Sequence, residues 1–103
     1  MDAANLDSVD LRQGKLPEAK LDGAKLCKVN ALKVTLSQAS LVGADLTGAS
    51  LRSAKLKSAS LASAVLRDCD LRDADLEGAD LRGADRQGAK LAGASLKGAQ
   101  EGE

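Results

Sequence analysis

Leucine recurs every five residues from Leu6 to Leu96, and the odd length of that step constrains the fold more than any other feature. Of the twenty positions 6, 11, 16 and onward to 101, seventeen are Leu; the exceptions are Ala31, Arg86 and Glu101. Two residues before each of these sites, Ala fills fifteen of twenty positions from Ala4 to Ala99, with Val9, Gly14, Val29, Val34 and Cys69 in the rest. The unit is Ala-x-Leu-x-x. On an α-helix a step of five turns the chain by ~500°, which leaves successive leucines ~140° apart and buries no coherent face. In a strand Ala and Leu, two apart, share a face, but an unbroken strand would flip every next Leu to the other side. The chain must therefore bend between units. Short extended triplets joined by tight corners, all turned inward, satisfy the pattern.

The corner residues identify the turn. Gly stands second after the Leu-type site at positions 23, 43, 48, 78, 83, 88, 93 and 98, after Leu in every case but Gly88, which follows Arg86. If Leu and the next Ala-type residue are the ends of a four-residue turn, this Gly is at its third position, where a type II turn needs positive φ. Pro17, the one proline, directly follows Leu16, at the second turn position, where a φ fixed near −65° is favourable. Where Ser, Asp, Lys or Gln replaces Gly, the expectation is that a fraction of corners use another turn.

Composition narrows the function classes. At 103 residues the expectation is one domain, 1–103, with repeats from about residue 4. Fifteen Lys plus Arg balance fifteen Asp plus Glu, so no cationic excess exists to neutralise phosphates. With no Phe, Tyr or Trp there is no platform for stacking bases, and with no His the imidazole chemistries are gone. The N-terminus shows no leader pattern, and no apolar run is long enough to cross a bilayer. The chain is expected to be cytoplasmic, with neither nucleic acid nor membrane as partner.

The units Ala44-Asp45-Leu46-Thr47-Gly48, Ala74-Asp75-Leu76-Glu77-Gly78 and Ala79-Asp80-Leu81-Arg82-Gly83 closely resemble the pentapeptide-repeat family, and the resemblance runs from residue 4 to 103. It implies an all-β fold, a right-handed quadrilateral parallel β-helix of about five coils with four repeats per coil. Residue i should then lie over i+20, with Leu6, Leu26, Leu46 and Leu66 in one inner column and Leu16, Leu36, Leu56, Leu76 and Leu96 in another. Arg86 and Glu101 depart from the core pattern only near the C-terminus, where a solvent-facing coil can hold them. Ala31 leaves space that the larger Val29 and Val34 can fill. The capping helix and apolar dimerisation element of many family members are not seen here, so open coil edges and self-association through the ends are expected.

Several residues are candidates for chemistry or contact. The acidic run from Asp68 to Asp75 fails the calcium-loop pattern, with no Gly at the sixth place and Ala79 at the twelfth. Asp70, Asp75, Asp80 and Asp85 fall on four successive faces and form a candidate electrostatic docking surface. Val42 and Ala62, twenty apart, are expected to stack beside Ser40 and Ser60 as a small uncharged patch. Cys69, at an Ala-type site, should face inward. Cys27 should face outward between Lys25 and Lys28, cations able to lower its pKa, but is read as a free exposed thiol of no special role, and no bridge between the two cysteines is expected. Ser53, Lys55, Lys57, Ser58 and Ser60 contain Ser–Lys pairs, but on a convex rod with no predicted pocket. No catalytic residue, cofactor or metal is assigned. The expected function is a non-enzymatic scaffold for a protein partner. The alternative implied by a subset of the family is a DNA mimic that binds DNA gyrase or topoisomerase, disfavoured by zero net charge and the absent dimerisation element.

Overall fold

The computed structural model describes residues 4–101 and shows a four-sided parallel solenoid. One residue per side forms a parallel β-bridge with the residue twenty positions on, from Asn5↔Lys25 through Asp45↔Val65 to Asp80↔Gln100. Every bridged residue is the one between an Ala-type and a Leu-type position. Four units therefore close each level, and the molecule measures 30 × 25 × 25 Å.

Each corner is a hydrogen-bonded turn from the Leu carbonyl to the N–H of the next Ala-type residue, as in Val9 N to Leu6 O at 3.1 Å and Ala49 N to Leu46 O at 2.9 Å. Positive φ is confined to the third turn position, which places these corners in the type II class. It occurs at all such positions from Ser8 to Gly98, whether the residue is Gly48 (69°), Lys28 (59°), Gln38 (61°) or Asp68 (56°). The expected second kind of corner is thus absent among the described residues. The left-handed region is disfavoured for residues with a Cβ, but the level below supplies the compensation. The third-position N–H donates across the gap, as Lys28 N does to Thr47 O at 2.9 Å and Ser53 N to Arg72 O at 2.9 Å.

Two further bonds per unit join the levels. The Leu N–H donates to the carbonyl nineteen residues ahead, and the bridged residue donates to the Ala-type carbonyl twenty-one residues behind, as in Leu46 N to Val65 O and Asp45 N to Ala24 O. Between residues 24 and 81 only the second turn position lacks a backbone acceptor. Pro17 occupies such a position, so its missing N–H removes nothing from the ladder.

Ala-type and Leu-type side chains fill the interior. From Ala24 to Leu81 each of these sites is at most 3% exposed, Ala31 and Cys69 included. Burial of this kind contributes about 1.5–3 kcal/mol per Leu before entropy. The Ala31 site is buried with its neighbours Val29 and Val34. Val34 also uses space at the level above: a Cβ on Gly14 would stand 3.8 Å from its Cγ2, so a small residue is stacked on a large one. No buried side-chain polar atom is left without a partner among the described residues.

Candidate interaction surfaces

With the interior apolar, polar chemistry is confined to the bridged residues, the two middle turn positions, and Arg86 and Glu101 at leucine sites of the last described level. The structure gives the bridged aspartates a local task. The unpaired N–H at the second turn position lies two residues after the bridged residue, and an Asx side chain there can accept it. Asp10, Asp45, Asp70, Asp75, Asp80 and Asp85 all do so, at 3.0–3.1 Å, to Arg12, Thr47, Arg72, Glu77, Arg82 and Gln87. The Asp-before-Leu preference of the sequence is thereby explained as turn capping.

The four candidate carboxylates stand in four different bridge columns, one per side, so no single flat partner meets them all. Three are matched by arginine: Asp70 by Arg72 at 2.7 Å, Asp80 by Arg82 at 2.9 Å, and Asp85 by Arg67 at 2.6 Å. The Arg72 hydrogen bonds hold Asp70 down at about 2, and those of Arg82 hold Asp80 down at about 2. Asp85 is likewise lowered, first by its bond to Arg67. Asp75 caps Glu77, which itself meets Lys57 at 3.2 Å.

Val42 and Ala62 do stack in register: Ser40 bridges Ser60, and Gly43 N donates to Ala62 O at 3.0 Å. Val42 is the exposed large hydrophobic residue of the described chain, at 39%. Above it, Asp22 accepts from both Ser40 Oγ and Val42 N.

Cys69 is inward and fully buried, and burial pushes its thiol up to about 12. Cys27 is half-buried, rather than exposed, and unbridged, and its lysine neighbours do not lower its pKa. Its thiol pKa is raised, first by desolvation and then by the hydrogen bond to Asp45 and the charges of Asp45 and Asp7. Residues from adjacent levels, rather than the sequence neighbours Lys25 and Lys28, decide its environment.

Twenty-residue stacking also converts charge order along the chain into charge pattern in space. Lys15, Thr35, Lys55, Asp75 and Ser95 form one bridged column. The corner beside it stacks Leu32 over Arg52 and Arg72 through the bonds Lys33 N to Arg52 O and Ser53 N to Arg72 O. Lys15, Lys33, Arg52, Lys55 and Lys57 are exposed on this side, and the level beneath them turns acidic at Asp73, Asp75 and Glu77. Sequence analysis did not identify this cationic side; writing the chain in rows of twenty reveals it. Around the same corner, Asp10, Arg12, Gln13 and Leu32 line a shallow groove. Among the described residues no three Cys, Asp or Glu side chains are grouped to hold a metal ion.

At the last level, Arg86 Nη1 and Glu101 Oε1 lie 2.8 Å apart. The two charged residues at leucine sites thus pair with each other across the last described level, a contact hidden by their separation of fifteen positions in the sequence.

The comparisons agree with this geometry. The profile described as pentapeptide repeats matches in eight copies over residues 4–41, 33–68 and 59–98. No curated protein matches by sequence. Among solved structures, HetL, a pentapeptide repeat protein involved in heterocyst differentiation regulation in the cyanobacterium Nostoc sp. strain PCC 7120, is 36% identical with a TM-score of 0.76, over 94% of this chain and 48% of that one. A pentapeptide repeat protein of the Arabidopsis thaliana thylakoid lumen is 29% identical with a TM-score of 0.74, over 93% of this chain and 63% of that one. QnrB1, a plasmid-mediated fluoroquinolone resistance protein, is 25% identical with a TM-score of 0.58, over 96% of this chain and 58% of that one. The chain thus spans about half to two-thirds of the length of these proteins. Five-residue periodicity, i to i+20 bridging and the family profile converge: the chain belongs to the pentapeptide repeat family.

Proposed function

We propose that this chain is a non-enzymatic interaction scaffold, a right-handed quadrilateral β-helix of about five coils that presents its flat sides to a protein partner in the cytoplasm. The observation that carries the proposal is the division of labour between inside and outside. Two sites in five are spent on a dry core, and the bridged residues and middle turn positions carry nearly all of the charged and capping groups. Those sides differ from one another: one is cationic through Lys15, Lys33, Arg52 and Lys55, one carries the Val42–Ala62 strip, and each carries one aspartate of the set Asp70, Asp75, Asp80 and Asp85. Side-specific charge of this kind favours recognition and steering of a partner.

The test is affinity capture with the wild-type chain alongside two surface variants, the triple K15E/K33E/K55E and the single V42D, each checked for native circular dichroism. A partner that is retained by wild type and lost with one variant, but not the other, supports the scaffold and assigns its side. Partners that bind both variants as well as wild type contradict it.

The gyrase-binding alternative draws on the acidic level around Asp68 to Asp85 and on the likeness to QnrB1. Arginine pairing of Asp70, Asp80 and Asp85 and zero net charge weigh against it. A gyrase supercoiling assay, with and without a fluoroquinolone, separates the two: inhibition or protection at micromolar protein favours the mimic, and neither effect removes it.

A further inference from the structure

We propose that the side carrying Val42 is the interface of a symmetric dimer, in which two copies lie side by side with their levels running in opposite directions. The inference deepens the scaffold reading by naming the occupant of one side, and it rests on that reading for the use of a flat side as a contact. The side runs along the bridged column Lys20, Ser40, Ser60 and Asp80. On one edge the second turn positions stack Asp22, Val42, Ala62 and Arg82, joined by the bonds Gly23 N to Val42 O, Gly43 N to Ala62 O and Ser63 N to Arg82 O. The two middle levels carry no charge at these positions. The outer levels are charged in opposite order, Lys20 with Asp22 at one and Asp80 with Arg82 at the other.

A side of this kind is its own complement. A two-fold axis across the side, midway between Ser40 and Ser60, inverts the levels and lays each column on itself. Lys20 then faces the second copy's Asp80, and Asp22 faces its Arg82. Each contact occurs twice, as two-fold symmetry requires. Asp80 and Arg82 are already paired at 2.9 Å, so each rim of the joint holds an alternating cluster of four charges. In the centre Val42, 39% exposed, meets the second copy's Ala62, and Ser40 meets its Ser60. On the other edge Glu18 faces Gly78 and Gln38 faces Ser58, so no like charges are directly opposed. A two-fold along the solenoid axis would instead set Lys20 on Lys20 and Asp80 on Asp80. Sliding one copy by one level would set Lys20 on Ser60 or Asp80 on Ser40. Charge order therefore selects one register, with an uncharged centre inside a charged rim, as protein interfaces are commonly built. A side about 25 Å on an edge covers about 600 Å² per copy, less than the ~800 Å² of a standard interface. The dimer is accordingly expected to be weak, reversible and sensitive to salt.

Sedimentation velocity over a hundredfold range of protein concentration tests this. Wild type is expected to pass from monomer to dimer as concentration rises, and to shift back toward monomer in molar salt. Reversing one outer level, in K20D/D22R or in D80K/R82D, sets like charges face to face and is expected to leave each variant monomeric. Mixed in equal amounts, the two variants are complementary again at both rims and are expected to form a heterodimer. Where a reversal disturbs the circular dichroism, V42D supplies the readout: it sets a carboxylate against Ala62 in the centre of the joint and is expected to be monomeric. Three results overturn the proposal: a wild-type chain that stays monomeric at every concentration, a folded reversal variant or V42D that dimerises as wild type does, or two folded reversal variants that do not associate when mixed. A monomeric wild type removes the dimer while partner capture still decides the scaffold, so the two readings fail separately.

Discussion

The middle of the solenoid and its terminal levels are written in the same five-residue unit but are not equally built. Between Ala24 and Leu81 every inward side chain is covered from above and below and is at most 3% exposed. Leu6, Leu11, Leu16, Leu21, Leu91 and Leu96 occupy equivalent sites, yet each is only partly buried against that core. The residue compared is leucine in both regions, and the difference follows from stacking: a terminal unit of the described chain has one neighbouring level where a middle unit has two. This is the nearest-neighbour energetics of a repeat array.

The most severe way to break the comparison is a charge in the middle. Leu46→Asp places an unpaired carboxylate in a column that is dry on both sides, and the variant is expected to show no cooperative thermal transition by circular dichroism. A gentler pair measures the contrast itself. Leu56→Ala is expected to cost about 2–5 kcal/mol in denaturant melts. Leu11→Ala, at a terminal level, is expected to cost less than half of that, because its site is already partly wet. Equal losses at the two sites would contradict the role assigned to stacking.

Backbone strain gives a smaller test. Ser53 holds φ at 59° in a middle level, with its N–H bonded to Arg72 O. Ser53→Gly removes the cost of a Cβ in the left-handed region and is expected to raise stability by up to about 1 kcal/mol, read as a shift in the denaturation midpoint. Smallest is the effect of acid. Asp70 and Asp80 are held near 2 and Asp10, Asp45 and Asp85 are also lowered, against about 3.9 in an unfolded chain. As pH falls below about 4 the unfolded chain takes up protons first. The stability these groups contribute is therefore constant above that value and declines progressively toward pH 2 and below. Urea midpoints measured across this range are expected to be flat from pH 7 to 5 and to fall only beneath 4.

Much of this architecture was legible in the sequence because an odd step admits few backbones. The five-residue beat requires inward-turned corners, and Gly and Pro17 place the turn in register. The twenty-residue coil, by contrast, came only through family resemblance, since any number of corners would satisfy the beat. What escaped the sequence depends on contacts between levels. Corner residues such as Lys28 and Glu18 adopt positive φ (59° and 61°), against local preference, because a bond to the next level holds them. Cys27 lies between Asp7 and Asp45, both distant in sequence. Asp70, Asp75, Asp80 and Asp85 were read as a surface, and the structure adds that each caps its own turn. Arg86 and Glu101 were read as two separate departures, and closure of the coil makes them one contact.

Residue-resolved amide hydrogen exchange tests the central claim, that every level is hydrogen-bonded to the residues twenty away around an inward leucine core. Between residues 24 and 81 four N–H groups in each five are bonded, and the second turn position, such as Arg52 or Lys57, has no backbone acceptor. The account predicts strong protection at the Ala, bridged, Leu and third-turn positions, with fast exchange at Arg52, Lys57 and Ala62 and a fall in protection toward both terminal levels. Fast exchange at the amides of Leu46, Leu56 or Leu66, or protection without a period of five, would contradict it.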